Sequence, residues 1–427
     1  MVRRVGLTLL LGLAGAIASP AAAQSLEVHA GRLIDPASGR VLTDQRITIS
    51  NGRIASVTAW TAGANDAAAI DWSGMTVLPG LIDLHTHVAD GAISSNDPAE
   101  PLKHSEAATI LKGVSAARTM LRAGFTTVRD VGVYRGLTDV ALRDAIAAGD
   151  VEGPRMFVAG GYITTPGGGG DIDALAADVP IPDTFHVGVV RNPGEARHRA
   201  RYLLDHGADF IKLIATGAVL ALGSEPGALE LSPEEMKAAC DEAKLRGSYC
   251  IAHAHGAEGI KAAIRAGART IEHASYLDAE GIALAKARGV WLDMDIFNGD
   301  YIEEVGTKEG WPAEYLRKNR ETTDIQRRGF AAAVKAGVKL TFGTDAAVYP
   351  YGIGARQFAY MVRYGMTPMQ AIQAATSEAA KALGKADVGS IAPGAFGDLV
   401  AVRGDPLKNI SALERIDGVI KQGKVVR

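Results

Sequence analysis

The chain has 427 residues, of which 47% are hydrophobic and 22% charged, with a mean hydropathy near zero. That profile is of a soluble globular protein, long enough for one large domain and a smaller one. The formal charge of −3, with no basic block and no stripe of interleaved basic and aromatic residues, excludes an evident nucleic-acid partner.

The chain begins with a targeting pattern. Arg3 and Arg4 give a positive start, residues 5–17 (VGLTLLLGLAGAI) an apolar core, and SPAAAQ small residues for cleavage after Ala23. The apolar run is too short to span a bilayer comfortably. Residues 1–23 therefore read as a signal peptide, and the mature protein as bacterial and periplasmic or secreted, with no membrane partner. Without them 43 basic side chains stand against 48 acidic ones, a charge of −5.

Residues 26–75 read as short strands and turns, with Asn51-Gly52 between alternating apolar runs as a hairpin signal. The same texture returns in GDLVAVRGDPL and IDGVIKQGKVVR, where Gln422-Gly423 marks a second turn. Both ends thus predict one small β-sandwich domain, from residues 24–77 and 386–427. Between them, over 78–385, strands and helices alternate. Strand candidates lie at 76–85, 125–132, 155–160, 209–215, 248–255, 269–274, 290–295 and 339–345. Helical patterns such as SEAATILKGVSAARTMLRAG, SPEEMKAACDEAKLRG and DIQRRGFAAAVKAG separate them, and Ser232-Pro233-Glu234-Glu235 is a capped helix start. Eight such units predict an α/β fold, a (β/α)8 TIM barrel. An open doubly wound sheet is the alternative, weakened because no Gly-rich dinucleotide fingerprint follows the first strand. Cys240, in a helical pattern, and Cys250, in a strand, are expected to be two free buried thiols.

One lysine is out of place in this pattern. In DFIKLIATG (209–217), Lys212 stands among Phe210, Ile211, Leu213 and Ile214. A buried ammonium costs several kcal/mol or loses its proton, so either its head reaches solvent or it is used chemically. The other strand ends favour use. The first closes on His85-Thr86-His87, the fifth on His253-Ala254-His255, the sixth on Glu272-His273 and the eighth on Asp345, so five of the ten histidines sit at three strand ends. Strand alternation puts both histidines of an HxH pair on one face, close enough to chelate one metal.

PGLIDLHTH, GFTTVRDVG, ADFIKLIATG, IAHAHG, TIEHA and FGTDA together resemble the amidohydrolase superfamily, from about residue 26 to the C-terminus. The branch is that of imidazolonepropionase-like and Xaa-Pro-dipeptidase-like enzymes, which includes secreted metallo-carboxypeptidases and ochratoxin-hydrolysing amidases. The resemblance implies a centre of two divalent metal ions, usually Zn2+. His85 and His87 would bind the first, His253 and His273 the second, and Lys212, carboxylated by CO2 to a carbamate, both. Asp345 would bind the first metal and act as general base, then acid, toward the leaving nitrogen. His255 would be left to contact substrate and assist catalysis. Relatives often carry a histidine in a GGHG-like stretch where Gly169 stands here. Tyr162 on the same loop, and Val219 and Leu220 on the long loop 216–231, are further candidate substrate contacts. AVYPYG (347–352) is placed to shape the pocket, and Arg129-Asp130 is expected to be a structural ion pair.

The leading expectation is hydrolysis of a small amide, releasing a C-terminal amino acid from a dipeptide or N-acyl amino acid, by a chain that relatives suggest is a homo-oligomer. Two alternatives stand beside it. One is a mononuclear cyclic-amide hydrolase or deaminase, with His255 and Glu258 in HxxE spacing. The other is a non-catalytic binding barrel.

Overall fold

The computed structural model describes residues 25–63, 69–90, 97–172, 175–176 and 178–427; the expected signal peptide lies outside them. In chain order the strands are β1 (Ser25–Asp35), β2 (Arg40–Ser50), β3 (Arg53–Ala59), β4 (Ile70–Pro79), β5 (Leu81–Thr86), β6 (Phe125–Asp130), β7 (Arg155–Val158) and β8 (Tyr162–Ile163). They continue as β9 (Ile211–Ile214), β10 (Cys250–Ala254), β11 (Thr270–His273), β12 (Trp291–Asp293), β13 (Lys339–Thr341), β14 (Leu399–Val402), β15 (Gly418–Lys421) and β16 (Lys424–Val425). The fold is α/β.

Both chain ends meet in a seven-stranded sheet of order β16-β15-β14-β4-β1-β2-β3. Its turns carry the backbone that the sequence signals require: Asn51 (φ 51°) and Gly52 (φ 75°) join β2 to β3, and Gln422 (φ 49°) and Gly423 (φ 71°) join β15 to β16. Val28, Ile47, Ile49, Trp72, Val77, Leu399 and Ile420 form its apolar core.

The middle of the chain supplies parallel strands in two sheets, β5-β6-β7 and β13-β12-β11-β10-β9-β8. Every residue of β5, β6, β9, β10 and β11 is buried, as expected of strands covered on both faces. Backbone hydrogen bonds also cross between the two sheets. Leu84 N donates to Phe342 O at 2.9 Å and Asp345 N to His85 O at 2.8 Å, while Asp209 N, just before β9, donates to Val158 O of β7 at 2.8 Å.

Helices follow the strands. Ser105 Oγ caps the helix Glu106–Arg122, and Ser232 and Glu235 close a capping box on the helix Pro233–Leu245. The segment DIQRRGFAAAVKAG belongs to a longer helix, Ala313–Ala336. Its polar first half lacks an apolar stripe but carries the pairs Glu314–Lys318 and Arg317–Glu321. Among the described residues no helix is long and apolar enough to cross a membrane.

The expectation of free thiols is wrong: Cys240 and Cys250 form a disulfide, with Cα atoms 5.1 Å apart. The short turn through Gly247 (φ 72°) folds β10 back along the last turns of the preceding helix. Residues assigned to different elements thereby become neighbours.

Candidate active site

Strand alternation resolves the oddity of Lys212. On β9, Ile211 and Leu213 face the helices and join the large apolar core, while Lys212 and Ile214 face a cavity of about 140 Å³. Lys212 is 1% exposed, and burial pushes its ammonium down to about 8. Around the same cavity stand His85 and His87 from the end of β5, His253 from β10 and His255 just past it, His273 from β11 and Asp345 from beyond β13. Tyr162, Gly169, Val219 and Leu220 line it too. All six expected metal ligands reach one place.

The rings pack against one another, His253 edge to face with His273 and His255 stacked on it. The His273 ring centroid lies 4.8 Å from His85, 4.5 Å from His253 and 4.7 Å from His255. Ligand atoms of His85, His273 and Asp345 lie within 4.8 Å of one another, as do those of His253, His255 and His273. His255, assigned to substrate from the sequence, thus stands as close to the donor cluster as His253 does. His273 (φ 67°) and Asp345 (φ 55°) both hold left-handed backbone, a strain that packing must sustain.

Hydrogen bonds orient the donors. His87 Nδ1 lies 2.8 Å from Gly132 O and 2.9 Å from the Tyr162 hydroxyl, with Nε2 3.2 Å from Asp345 Oδ1. His273 Nδ1 lies 3.0 Å from each Asp295 oxygen, and His255 Nδ1 lies 2.7 Å from Ser275 Oγ. Such outer partners select the ring nitrogen left free for coordination. His253 Nε2 lies 3.2 Å from Gly217 O.

The donor set fits divalent metal. Burial, with nearby cationic groups, pushes His85, His253 and His255 well below the usual imidazole range, so they are neutral donors. Burial raises Asp345, but its hydrogen bond from His87 and the charges of His273, His87 and Lys212 outweigh that and hold it below the usual carboxylate range. The buried His85 Nδ1 has no hydrogen-bond partner among the described residues. Neutral imidazoles and a carboxylate suit zinc, with manganese, cobalt or iron as possible substitutes. In a third trio, His85, Glu272 and Asp293, the charge of Glu272 is neutralised by Arg129 at 3.1 Å.

That neutralisation corrects the expected Arg129–Asp130 pair. Adjacent strand residues point to opposite faces and cannot pair. The fully buried Arg129 donates instead through Nη2 to both Glu272 oxygens at 3.1 Å, through Nη1 to Thr270 Oγ1 at 3.1 Å, and through Nε to Leu84 O at 2.6 Å. Asp130 accepts from Ala89 N at 3.1 Å.

A Cβ at Gly169 would stand 2.9 Å from Ala218 Cβ, so loop 216–231 fills the space a side chain there would need. Gly169 N donates to Glu230 at 2.9 Å, and Lys318 holds the same loop through Ala221 O and Ser224 O. A second cavity of about 210 Å³ adjoins the first, sharing His87, Tyr134, Tyr162 and Leu220; Ala347 and Val348 of AVYPYG line it. Glu258 of the HxxE spacing is 73% exposed and pairs with Lys261 at 2.8 Å, outside the cavity.

Sequence reasoning missed Asp295, Asn298, Gln326 and Tyr134. Asp295 could have been found, since it sits beyond a strand end like the other site residues. Asn298 and Gln326 come from helices and belong to no motif.

Known proteins resemble this chain over most of its length. The sequence model of the Amidohydrolase family matches residues 76–426. Ochratoxinase of Aspergillus niger is 30% identical over 434 residues, covering 96% of this chain and 88% of the relative. A Xaa-Pro dipeptidase crystallised with methionine in its active site superposes with a TM-score of 0.87 at 37% identity, over 94% of this chain and 99% of the other. A prolidase complexed with N-methylphosphonate-L-proline gives a TM-score of 0.87 at 29% identity, over 95% and 100%. The chain belongs to the amidohydrolase family. It is a hydrolytic enzyme acting on amide bonds, which retires the non-catalytic reading.

Proposed function

We propose that this enzyme holds two divalent metal ions, zinc by the chemistry of the donors, and cleaves the amide that joins an acyl group or residue to a C-terminal amino acid. The observation that carries the proposal is the convergence of His85, His87, Lys212, His253, His273 and Asp345 on one cavity. His85, His87 and Asp345 would hold one ion and His253 and His273 the other. Lys212 would serve both as a carbamate, formed when its neutral amine takes up CO2. When bound, the ions supply a Lewis acid for the carbonyl and an acidified water. Asp345 accepts the proton of the attacking water and delivers it to the leaving nitrogen. Asp295, Gln326 and Asn298 hold His273 and Asp345 in place: Gln326 Nε2 donates to Asp295 Oδ1 and to His273 O, both at 3.0 Å. Tyr162, Val219, Leu220 and His255 face the substrate, and the adjoining cavity receives the acyl group.

The architecture follows the same reading. The backbone bonds between β5 and the segment after β13, and between β7 and β9, support a closed (β/α)8 barrel over residues 78–385. Residues 24–77 and 386–427 would form the β-sandwich domain. The disulfide supports a periplasmic or secreted location, since such bonds persist in oxidising compartments.

Ochratoxinase and the prolidase-like relatives support an N-acyl amino acid or dipeptide substrate. A metal-loaded preparation assayed on a panel of both tests it. Release of the C-terminal amino acid with near two equivalents of metal per chain is expected. Full activity of Lys212→Ala with a single equivalent would refute the binuclear centre.

A further inference from the structure

One acid in the wall of the adjoining cavity has no basic partner. Among the described residues, the acids that line this cavity are Asp90, Asp97, Glu100 and Asp171. Lys103 pairs with Asp97 and, at 3.7 Å, with Glu100, which also meets His104 at 2.9 Å; His186 holds Asp171 at 2.9 Å. Asp90 forms no ion pair among the described residues. Its Oδ1 accepts from Tyr134 N at 3.1 Å. Its Oδ2 makes no hydrogen bond among the described residues and is not sealed from solvent. On a half-buried side chain that lines the cavity, this oxygen is the open end. Arg135 of the same wall is turned to other groups: Nη2 donates to His104 O at 2.9 Å, Nη1 to Thr184 Oγ1 at 3.4 Å, and the guanidinium lies over the Phe185 ring. Burial pushes the Asp90 carboxyl up to about 7, as happens to a carboxylate that lacks a counter-charge.

The place of Asp90 relative to the reacting centre identifies what would pair with it. Asp90 ends the short turn Val88–Asp90 that follows His87, and its N donates to His87 O at 3.3 Å. Tyr134, whose N–H it accepts, lines both cavities, as do His87 and Tyr162. Burial, and next the charge of Asp90, push the phenols of Tyr134 and Tyr162 up, so the field of this carboxylate reaches the junction of the two cavities. The inference rests on the reading that an amide is cleaved here with its acyl side in the adjoining cavity. In an α-aminoacyl group the ammonium nitrogen lies two bonds from the scissile carbonyl carbon, about 2.5 Å away. A carboxylate that holds it must therefore stand at the junction, not at the far end of the acyl cavity. We propose that Asp90 binds the free α-ammonium of the acyl residue and makes the enzyme selective for unblocked dipeptides over N-acyl amino acids. A charge-assisted hydrogen bond from the ammonium supplies the missing counter-charge. An acyl group without an α-ammonium leaves the carboxylate unpaired and is disfavoured.

The test uses the metal-loaded full chain and four acyl groups, alanyl, propionyl, N-acetylalanyl and 6-aminohexanoyl, each on the leaving amino acid that the panel above shows to be best. Alanyl and propionyl differ only in the ammonium. Alanyl should exceed propionyl and N-acetylalanyl in kcat/KM by roughly 10- to 100-fold, the usual span for a hydrogen bond to a charged group. The difference should fall mainly in KM, because the ammonium is held alike before and during reaction. The 6-aminohexanoyl substrate, whose cation lies far from the carbonyl, should behave as propionyl does. Asp90→Asn keeps an acceptor for Tyr134 N and should bring the alanyl-to-propionyl ratio to within about threefold of one. Calorimetry gives a readout without turnover. A phosphinate analogue of the alanyl substrate should bind wild type more tightly than its des-amino counterpart, and Asp90→Asn should bring the two together. Equal wild-type rates on alanyl and propionyl substrates overturn the proposal. So does a loss in Asp90→Asn that falls equally on both, the mark of a residue that only shapes the turn after His87. A preference for 6-aminohexanoyl over alanyl puts the ammonium site elsewhere and overturns it too. If Asp90→Asn does not fold, the wild-type substrate and inhibitor ratios decide. Amide hydrolysis indifferent to the ammonium defeats this inference alone, whereas no amide hydrolysis at all removes the reading beneath it as well.

Discussion

Lys212 brings into the fold an ammonium that burial makes easier to deprotonate. Burial brings it down to about 8, within reach of deprotonation, and only the neutral amine reacts with CO2. Its neutral fraction rises with pH through that value. Reconstitution of metal-stripped enzyme should therefore recover activity faster with added bicarbonate, and faster above about pH 8 than below it. Recovery indifferent to bicarbonate under CO2-free conditions would count against the carbamate. The residue is legible in the sequence because an isolated cation in an apolar strand is rare. Asp295 and Asn298 are not, because a polar residue near an element's end is ordinary until its neighbours are known. Their roles come from distances of 2.6–3.3 Å to residues on other elements.

Strands and helix starts are the elements most legible in the sequence. The apolar runs ending in HTH, HAH and EH become β5, β10 and β11, and Ser105 and Ser232 cap the helices expected of them. Contacts between elements are harder to read. The Arg129–Glu272 pair joins residues 143 positions apart, and the disulfide joins a helix to the strand that carries His253 and leads into His255. Closing so short a loop removes denatured-state freedom worth roughly 3 kcal/mol. Cys240→Ala/Cys250→Ala should thus unfold at a lower urea midpoint, while metal content and turnover at moderate temperature are retained. Loss of metal from the folded variant would instead give the disulfide a direct part in setting β10.

Across the whole molecule, strand ends from β5 to beyond β13 meet at one cavity, so the metal binding proposed there would tie the elements together. Bound metal stabilises the native state by mass action, about 4 kcal/mol at a thousandfold excess over its dissociation constant. Chelation should lower the thermal midpoint and abolish activity together, and readdition should restore both. An unchanged midpoint on stripping would show that the ions do not bind where the elements converge. The sequence by itself determined the alternating α/β order, the two β-rich ends and the histidines, lysine and aspartate that line the cavity, because periodicity, turn chemistry and motif spacing are local properties of the chain. Only the tertiary structure decided the partner of Arg129, the state of the cysteines, the exclusion of Glu258 from the cavity and the contacts of Asn298 with Asp295 and Asp345. Each of these depends on which distant side chain lies within about 3 Å, and hydrogen bonds and desolvation act only at that range.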